Sequence, residues 1–329
     1  FTSLMEWYHD PSSYTVAAFC ALFGLLNGTT YMPIALLFAY FSFTGVWAMY
    51  RTFVNIYPTL HKHLAFAFLF IPSTFVWGSG VFKDTICMFA LGWMTYTVFR
   101  IFINRDFSIQ NILMLVFSFY LVAIVKIYIL LAFLPALGFW LLLNYSNKIK
   151  FTLLRWVLNV SFIGIVIGGF FFLSNKFSQE LGRYSLENIT NTAEATRGWI
   201  SYASGDEGSA YSLGEFDPSI EGMLKKFPQA VVVTLFRPFP WEAKKIIVLF
   251  SALCALACVG STAFALFNTE LANTFNVIRK DHNLLFFLIF SLIFAFAVGI
   301  SSYNFGALSR YKNPRLPFFA AFLVIIYNN

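Results

Sequence analysis

The sequence predicts an all-α, polytopic transmembrane helical bundle, and three observations carry that prediction. Hydrophobic residues make up 59% of the chain. Charged residues make up only 11%, against about 25% in an average soluble domain. The apolar residues also fall in runs of about 15 to 22, parted by short charged stretches, and a membrane span needs about 20 mostly apolar residues. The 43 Phe among the 329 residues suit packing between helices and lipid. This composition excludes disorder, a disulfide-stapled module and a nucleic-acid reader.

Hydropathy and charged punctuation predict about nine spans. They lie near 31–50, 63–80, 84–99, 111–125, 127–145, 156–174, 246–267, 284–303 and 317–329. The apolar run 111–144 would be about 51 Å long as one helix at 1.5 Å per residue, against a hydrocarbon core of about 30 Å. We therefore divide it at Lys126. Segment 14–26 is short and follows Glu6, His9 and Asp10, so it is expected as an interfacial or re-entrant helix. Residues 1–174 and 246–329 are thus the membrane regions, and 175–245 is a polar loop with eight Lys/Arg and nine Asp/Glu. Its apolar end, 227–241, is expected to lie along the membrane surface. The first residue is Phe1, and upstream residues are expected to be missing.

The four cysteines, Cys20, Cys87, Cys254 and Cys258, sit in apolar segments without metal-ligand spacing and read as core hydrophobes. No P-loop, GxGxxG after a strand, HExxH or GxSxG is present, so no metal and no cofactor are expected. Carboxylates are absent from the middle of every predicted span, which argues against an ion-coupled transporter.

The charge sorts by loop. One set of short loops holds nine Lys/Arg (Arg51, Lys62, Arg100, Arg105, Lys148, Lys150, Arg155, Arg279 and Lys280) against three acids. The other holds five, Lys83, Lys126, Arg310, Lys312 and Arg315, against Asp84. Positive residues are retained on the cytoplasmic side, so the second set and the loop 175–245 are expected outside. Cations left on that face point to an anion held there, such as a lipid phosphate, because guanidinium binds phosphate through paired charge-assisted hydrogen bonds. Snorkelling to headgroups is the competing reading for each one alone.

Three strings hold these candidates. WGSGVFKD at 77–84 joins two predicted spans and places Lys83 and Asp84 at a helix start. LFRPFPWE at 235–242 sets Arg237 and Glu242 among aromatics and prolines, with Phe239 and Trp241 able to stack on a sugar ring. YNFGALSRYKNPR at 303–315 gathers Arg310, Lys312 and Arg315. The candidate acid/base residues are Asp10, Asp84 and Glu6; the candidate phosphate-binding residues are Arg237, Arg310, Lys83, Lys312, Arg315 and Lys126.

The strings 43–53 (FTGVWAMYRTF), 71–84 (IPSTFVWGSGVFKD), 211–242 and 303–310 resemble polytopic membrane proteins of the Bacteroidetes associated with surface-polysaccharide gene clusters. More distantly, the layout is similar to GT-C-fold glycosyltransferases and to O-antigen polymerases and ligases. That resemblance implies a GT-C-like bundle in a bacterial inner membrane. It implies a polyprenyl-phosphate-linked sugar as partner, used at the outer face, alongside membrane lipids and possible membrane-protein partners. It sets Asp10 or Glu6 in the place of the GT-C acid and Arg237 and Arg310 in that of the polymerase arginines. The chain departs from the pattern in having no acidic pair in an early outer loop; its Asp206-Glu207 lies in the long loop. A transporter or flippase for a lipid-linked or anionic solute, and a non-catalytic membrane subunit, are the alternatives.

Overall fold

The computed structural model describes residues 10–28, 30–146, 164, 211, 213, 220–268, 271–302 and 304–328. Glu6, the predicted span 156–174, Asp206-Glu207 and most of the long polar loop lie outside the described residues. Among the described residues the regular structure is helical, without β-strand. Among the described residues five helices are long and apolar enough to cross a membrane: Tyr31–Ile56, Lys83–Phe102, Ile109–Tyr145, Ile246–Ala265 and His282–Ser301. The chain divides into two compact units, Phe1–Leu130 and Leu131–Asn329.

The first unit opens with α1 (Pro11–Asn27), which matches the expected helix near 14–26. Asp10 caps it by accepting a hydrogen bond from the Ser12 N–H at 3.1 Å, and Pro11 takes the first-turn position where a missing N–H costs nothing. The helix α2 (Tyr31–Ile56) crosses α5 (Lys83–Phe102) at a pair of glycines. A Cβ on Gly92 would run into the Gly45 carbonyl, and one on Gly45 into the Phe89 backbone. The two backbones therefore touch, as small residues permit in membrane bundles. Beside the crossing Phe41 stacks on Phe89 with ring centroids 3.5 Å apart, and Trp93 Nε1 donates to Thr44 Oγ1 at 3.2 Å.

Between them the expected span 63–80 is not one helix. It is α3 (His61–Leu69) followed by α4 (Pro72–Gly78). Pro72 has no N–H for the Phe68 carbonyl and its ring clashes there, so the helix ends. Nine and seven residues rise only about 14 and 10 Å, and neither crosses a bilayer alone. In α6 (Ile109–Ser146) the backbone leaves helical geometry at Lys126 (φ −152°, ψ 79°), the position where the sequence divides the run.

The second unit holds α7 (Ile220–Lys225), α8 (Phe227–Phe236), α9 (Ile246–Asn268), α10 (Leu271–Lys280), α11 (His282–Ser301), α12 (Phe305–Tyr311) and α13 (Leu316–Tyr327). Its centre is a cluster of fully buried rings, Phe286, Phe287, Phe290, Phe294 and Phe318. Asp281 caps α11 through the Asn283 N–H at 2.9 Å, and the Asn283 side chain accepts from Trp140 Nε1 at 3.0 Å. Within the segment 227–241 the buried face of α8 (Ala230, Val231, Val233, Thr234, Leu235) turns into the unit. Gly299 of α11 packs against the Ala230 carbonyl with no room for a Cβ, and Thr234 Oγ1 donates to Ala295 O at 2.8 Å. With 12 residues, α13 is too short to cross alone, about 18 Å at 1.5 Å per residue.

Gly92→Ala is expected to force α2 and α5 apart and to lower stability by about 1–3 kcal/mol, the usual cost of overpacking. Gly260→Ala, which meets nothing within 4 Å, is expected to be neutral or stabilising through helix propensity. Thermal unfolding of both variants in detergent checks the contrast.

Candidate functional site

In the first unit the predicted site residues meet as opposite charges. Asp84 lies in the first turn of α5, where the helix dipole favours a carboxylate. Its side chain is 1% exposed and forms an ion pair with Lys126, itself 6% exposed. Lys126 stands at the break in α6, and the break also frees a neighbouring carbonyl: Val125 O accepts from Ser12 Oγ at 3.1 Å. Next to this pair Lys83 Nζ lies 3.4 Å from Asp10 Oδ2. Two carboxylates and two ammonium groups thus form a neutral cluster that ties the start of α1 to α5 and α6. Burial raises the Asp10 carboxyl, but the Ser13 hydroxyl and Lys83 outweigh it and hold the group below its ordinary 3.8. Asp10 remains half exposed. Lys83 and Lys126, read from the sequence as phosphate binders, already have carboxylate partners.

The second unit arranges its charges differently. The sequence Arg-Pro-Phe-Pro after α8 leaves the helix end short of donors. The Thr234 carbonyl would bond the N–H of residue 238, which is Pro238 and has none, and helix C-termini otherwise leave such carbonyls open. Arg315 supplies the missing donor from its Nη2, and Lys312 Nζ donates to the Arg237 carbonyl at 2.8 Å. Both side chains are wholly buried. Cations at a helix C-terminus are favoured by its dipole. Among the described residues the Arg315 Nε and Nη1 atoms are buried without a hydrogen-bond partner, and neither Lys312 nor Arg315 has a carboxylate within ion-pair distance.

Arg237 is engaged with Glu242. Its Nε donates to Oε2 at 3.2 Å, its Nη2 to Oε1, and the same carboxylate accepts the Phe239 N–H at 2.8 Å. The Arg237 guanidinium also lies 4.9 Å from the Phe305 ring centroid, and Phe305 stacks on Tyr211 from the middle of the long loop. Burial raises the Glu242 carboxyl, yet the bonds from Arg237 and Phe239 hold it below its ordinary 4.5. Phe239 and Trp241 are stacked, 4.8 Å apart and 15° from parallel, and Trp241 is 77% exposed. Arg310 is half buried on α12, the helix that leads into Lys312. Among the described residues the site therefore holds Arg237, Lys312 and Arg315 against one carboxylate, that of Glu242, with an aromatic stack beside them.

The role of Glu242 escaped the sequence reading, as did the capping role of Lys312 and Arg315. The signal was present: two prolines spaced by one residue after a helix remove two N–H donors and demand donors from elsewhere. No protein-family model, curated protein or solved structure matches this chain.

Two measurements follow. Asp84→Asn or Lys126→Met alone leaves one charge buried and unpaired, and each is expected to cost about 3–5 kcal/mol. The double variant is expected to recover most of that loss in detergent unfolding. Burial, with the adjacent Arg315 charge, pushes the Lys312 ammonium from 10.5 down to about 7. Between those two pH values the unfolded chain binds the more protons, so stability rises with pH across that window. Lys312→Met is expected to flatten the rise in melting temperature between pH 7 and 10.

Proposed function

We propose that this chain is a membrane-embedded glycosyltransferase or polysaccharide polymerase that acts on polyprenyl-phosphate-linked sugars at the outer face of a bacterial inner membrane. The single observation that carries the reading is the excess of buried positive charge at the end of α8. Lys312 and Arg315 are wholly buried, and two Arg315 nitrogens have no hydrogen-bond partner among the described residues. Buried charges are costly unless paired, and a phosphate or pyrophosphate would supply the partner. The Phe239–Trp241 stack beside it offers a flat apolar face of the kind that sugar rings pack against. This reading carries with it a GT-C-like bundle of about nine spans and an extracytoplasmic loop 175–245.

In the proposed reaction an acceptor hydroxyl oxygen bonds to the anomeric carbon of the donor sugar. The bond from that carbon to the phosphate oxygen breaks with its electron pair on the phosphate, and the hydroxyl proton passes to a carboxylate. Lys312, Arg315, Arg237 and Arg310 stabilise the charge that grows on the leaving phosphate. Within the first unit Asp10 keeps an accessible carboxylate, whereas Asp84 is sealed against Lys126.

Arg237→Ala would also unpair Glu242, so it reads folding together with binding. Trp241→Ala and Arg310→Ala keep both members of the Arg237–Glu242 pair. Both are expected to reduce glycan product at least about tenfold, equivalent to about 1.4 kcal/mol, while leaving the amount of protein in the membrane unchanged. Transfer from a polyprenyl-phosphate sugar to acceptor, measured with the purified chain and in cells, checks this. Normal product from both variants would overturn the site.

A further inference from the structure

A second site lies in the first unit, independent of the glycosyl-transfer reading. On α2 the residues Tyr40, Phe43, Thr44, Trp47, Ala48 and Arg51 recur at intervals of three and one, which places them on one helix face. Together with Trp93 and Tyr96 of α5 they line a groove of about 340 Å³. Tyr40 is 67% exposed, Phe43 50% and Trp47 42%. On a helix long enough to span a membrane, such a face meets lipid.

We propose that this groove binds one anionic phospholipid, its acyl chain along the aromatic stripe and its phosphate at Arg51. Three features select that occupant. From Tyr40 to Arg51 the helix rises about 16 Å at 1.5 Å per residue, close to half of a hydrocarbon core of about 30 Å, the depth of one leaflet. Interfacial aromatic belts sit at one level, whereas this stripe runs the whole depth and ends in a cation. The charges at the same end of the two helices are also unequal. Arg100 of α5, 6.0 Å over the Tyr96 ring, is matched by Asp106. Arg51 has no carboxylate within ion-pair distance among the described residues. The Trp93 indole N–H is already satisfied by Thr44, so the middle of the groove asks for no polar ligand group.

The test is native mass spectrometry of the purified chain in detergent, titrated with dioleoyl phosphatidylglycerol or dioleoyl phosphatidylcholine. A discrete single adduct that favours phosphatidylglycerol by about tenfold, equivalent to about 1.4 kcal/mol, is expected. Arg51→Gln is expected to bring the two lipids level, and Trp47→Ala to weaken both. Lys62→Gln, an exposed cation outside the groove, is expected to keep the preference. Equal binding of both lipids by the parent chain would overturn the proposal, as would a preference that survives Arg51→Gln. A dimer that Trp47→Ala dissociates would assign the face to a second copy of the chain instead.

Discussion

In each unit two helix backbones touch, and the rest of the unit is arranged around that contact. Gly45 and Gly92 bring α2 and α5 together, and Gly299 does the same for α11 and α8. Lipid tails are as apolar as the side chains they would replace, so burial in a membrane gains little from expelling water. Close backbone approach multiplies dispersion contacts instead. At the first crossing the large rings, Phe41 on Phe89 above all, fill the space on either side of the glycine line. In the second unit Gly299 lets Thr234 reach the Ala295 carbonyl, which fixes the end of α8 and hence the place where the cations gather.

The two units meet the cost of buried charge in opposite ways. Around Asp84 and Lys126 every predicted site residue described has a partner of opposite sign, and the cluster is neutral. Around Lys312 and Arg315 the partners are main-chain carbonyls, which satisfy hydrogen bonds without cancelling charge. The first arrangement is a stable tie between helices. The second keeps an electrostatic attraction for anions in a region of low dielectric, where such attraction is strong. Under the proposed function this contrast, more than the number of cations, separates phosphate-binding residues from those that hold the fold.

Exposed aromatic residues also divide by setting. The Phe239–Trp241 stack sits on a proline-stiffened turn next to charge, while Tyr40, Phe43 and Trp47 run along a long apolar helix. Rings of the same chemistry thus serve a sugar in one proposal and an acyl chain in the other, because a turn presents a single flat face and a helix presents a track.

Composition by itself determined the class of the protein. A chain with 11% charged residues and apolar runs of about span length reads as helices in lipid, which satisfy every backbone group within the segment. The break at Lys126 was legible for the same reason, because one uninterrupted helix there outruns the bilayer. The single helix expected at 63–80 breaks at Pro72, where a local backbone constraint overrode average hydropathy. Which cation meets which carboxylate was decided only by tertiary structure. Lys126 and Asp84 are 42 residues apart, and Arg315 and Thr234 are 81 apart. Hydropathy records how each segment partitions into lipid but carries no information about which helix faces which, and that pairing is set by where glycines let the backbones meet.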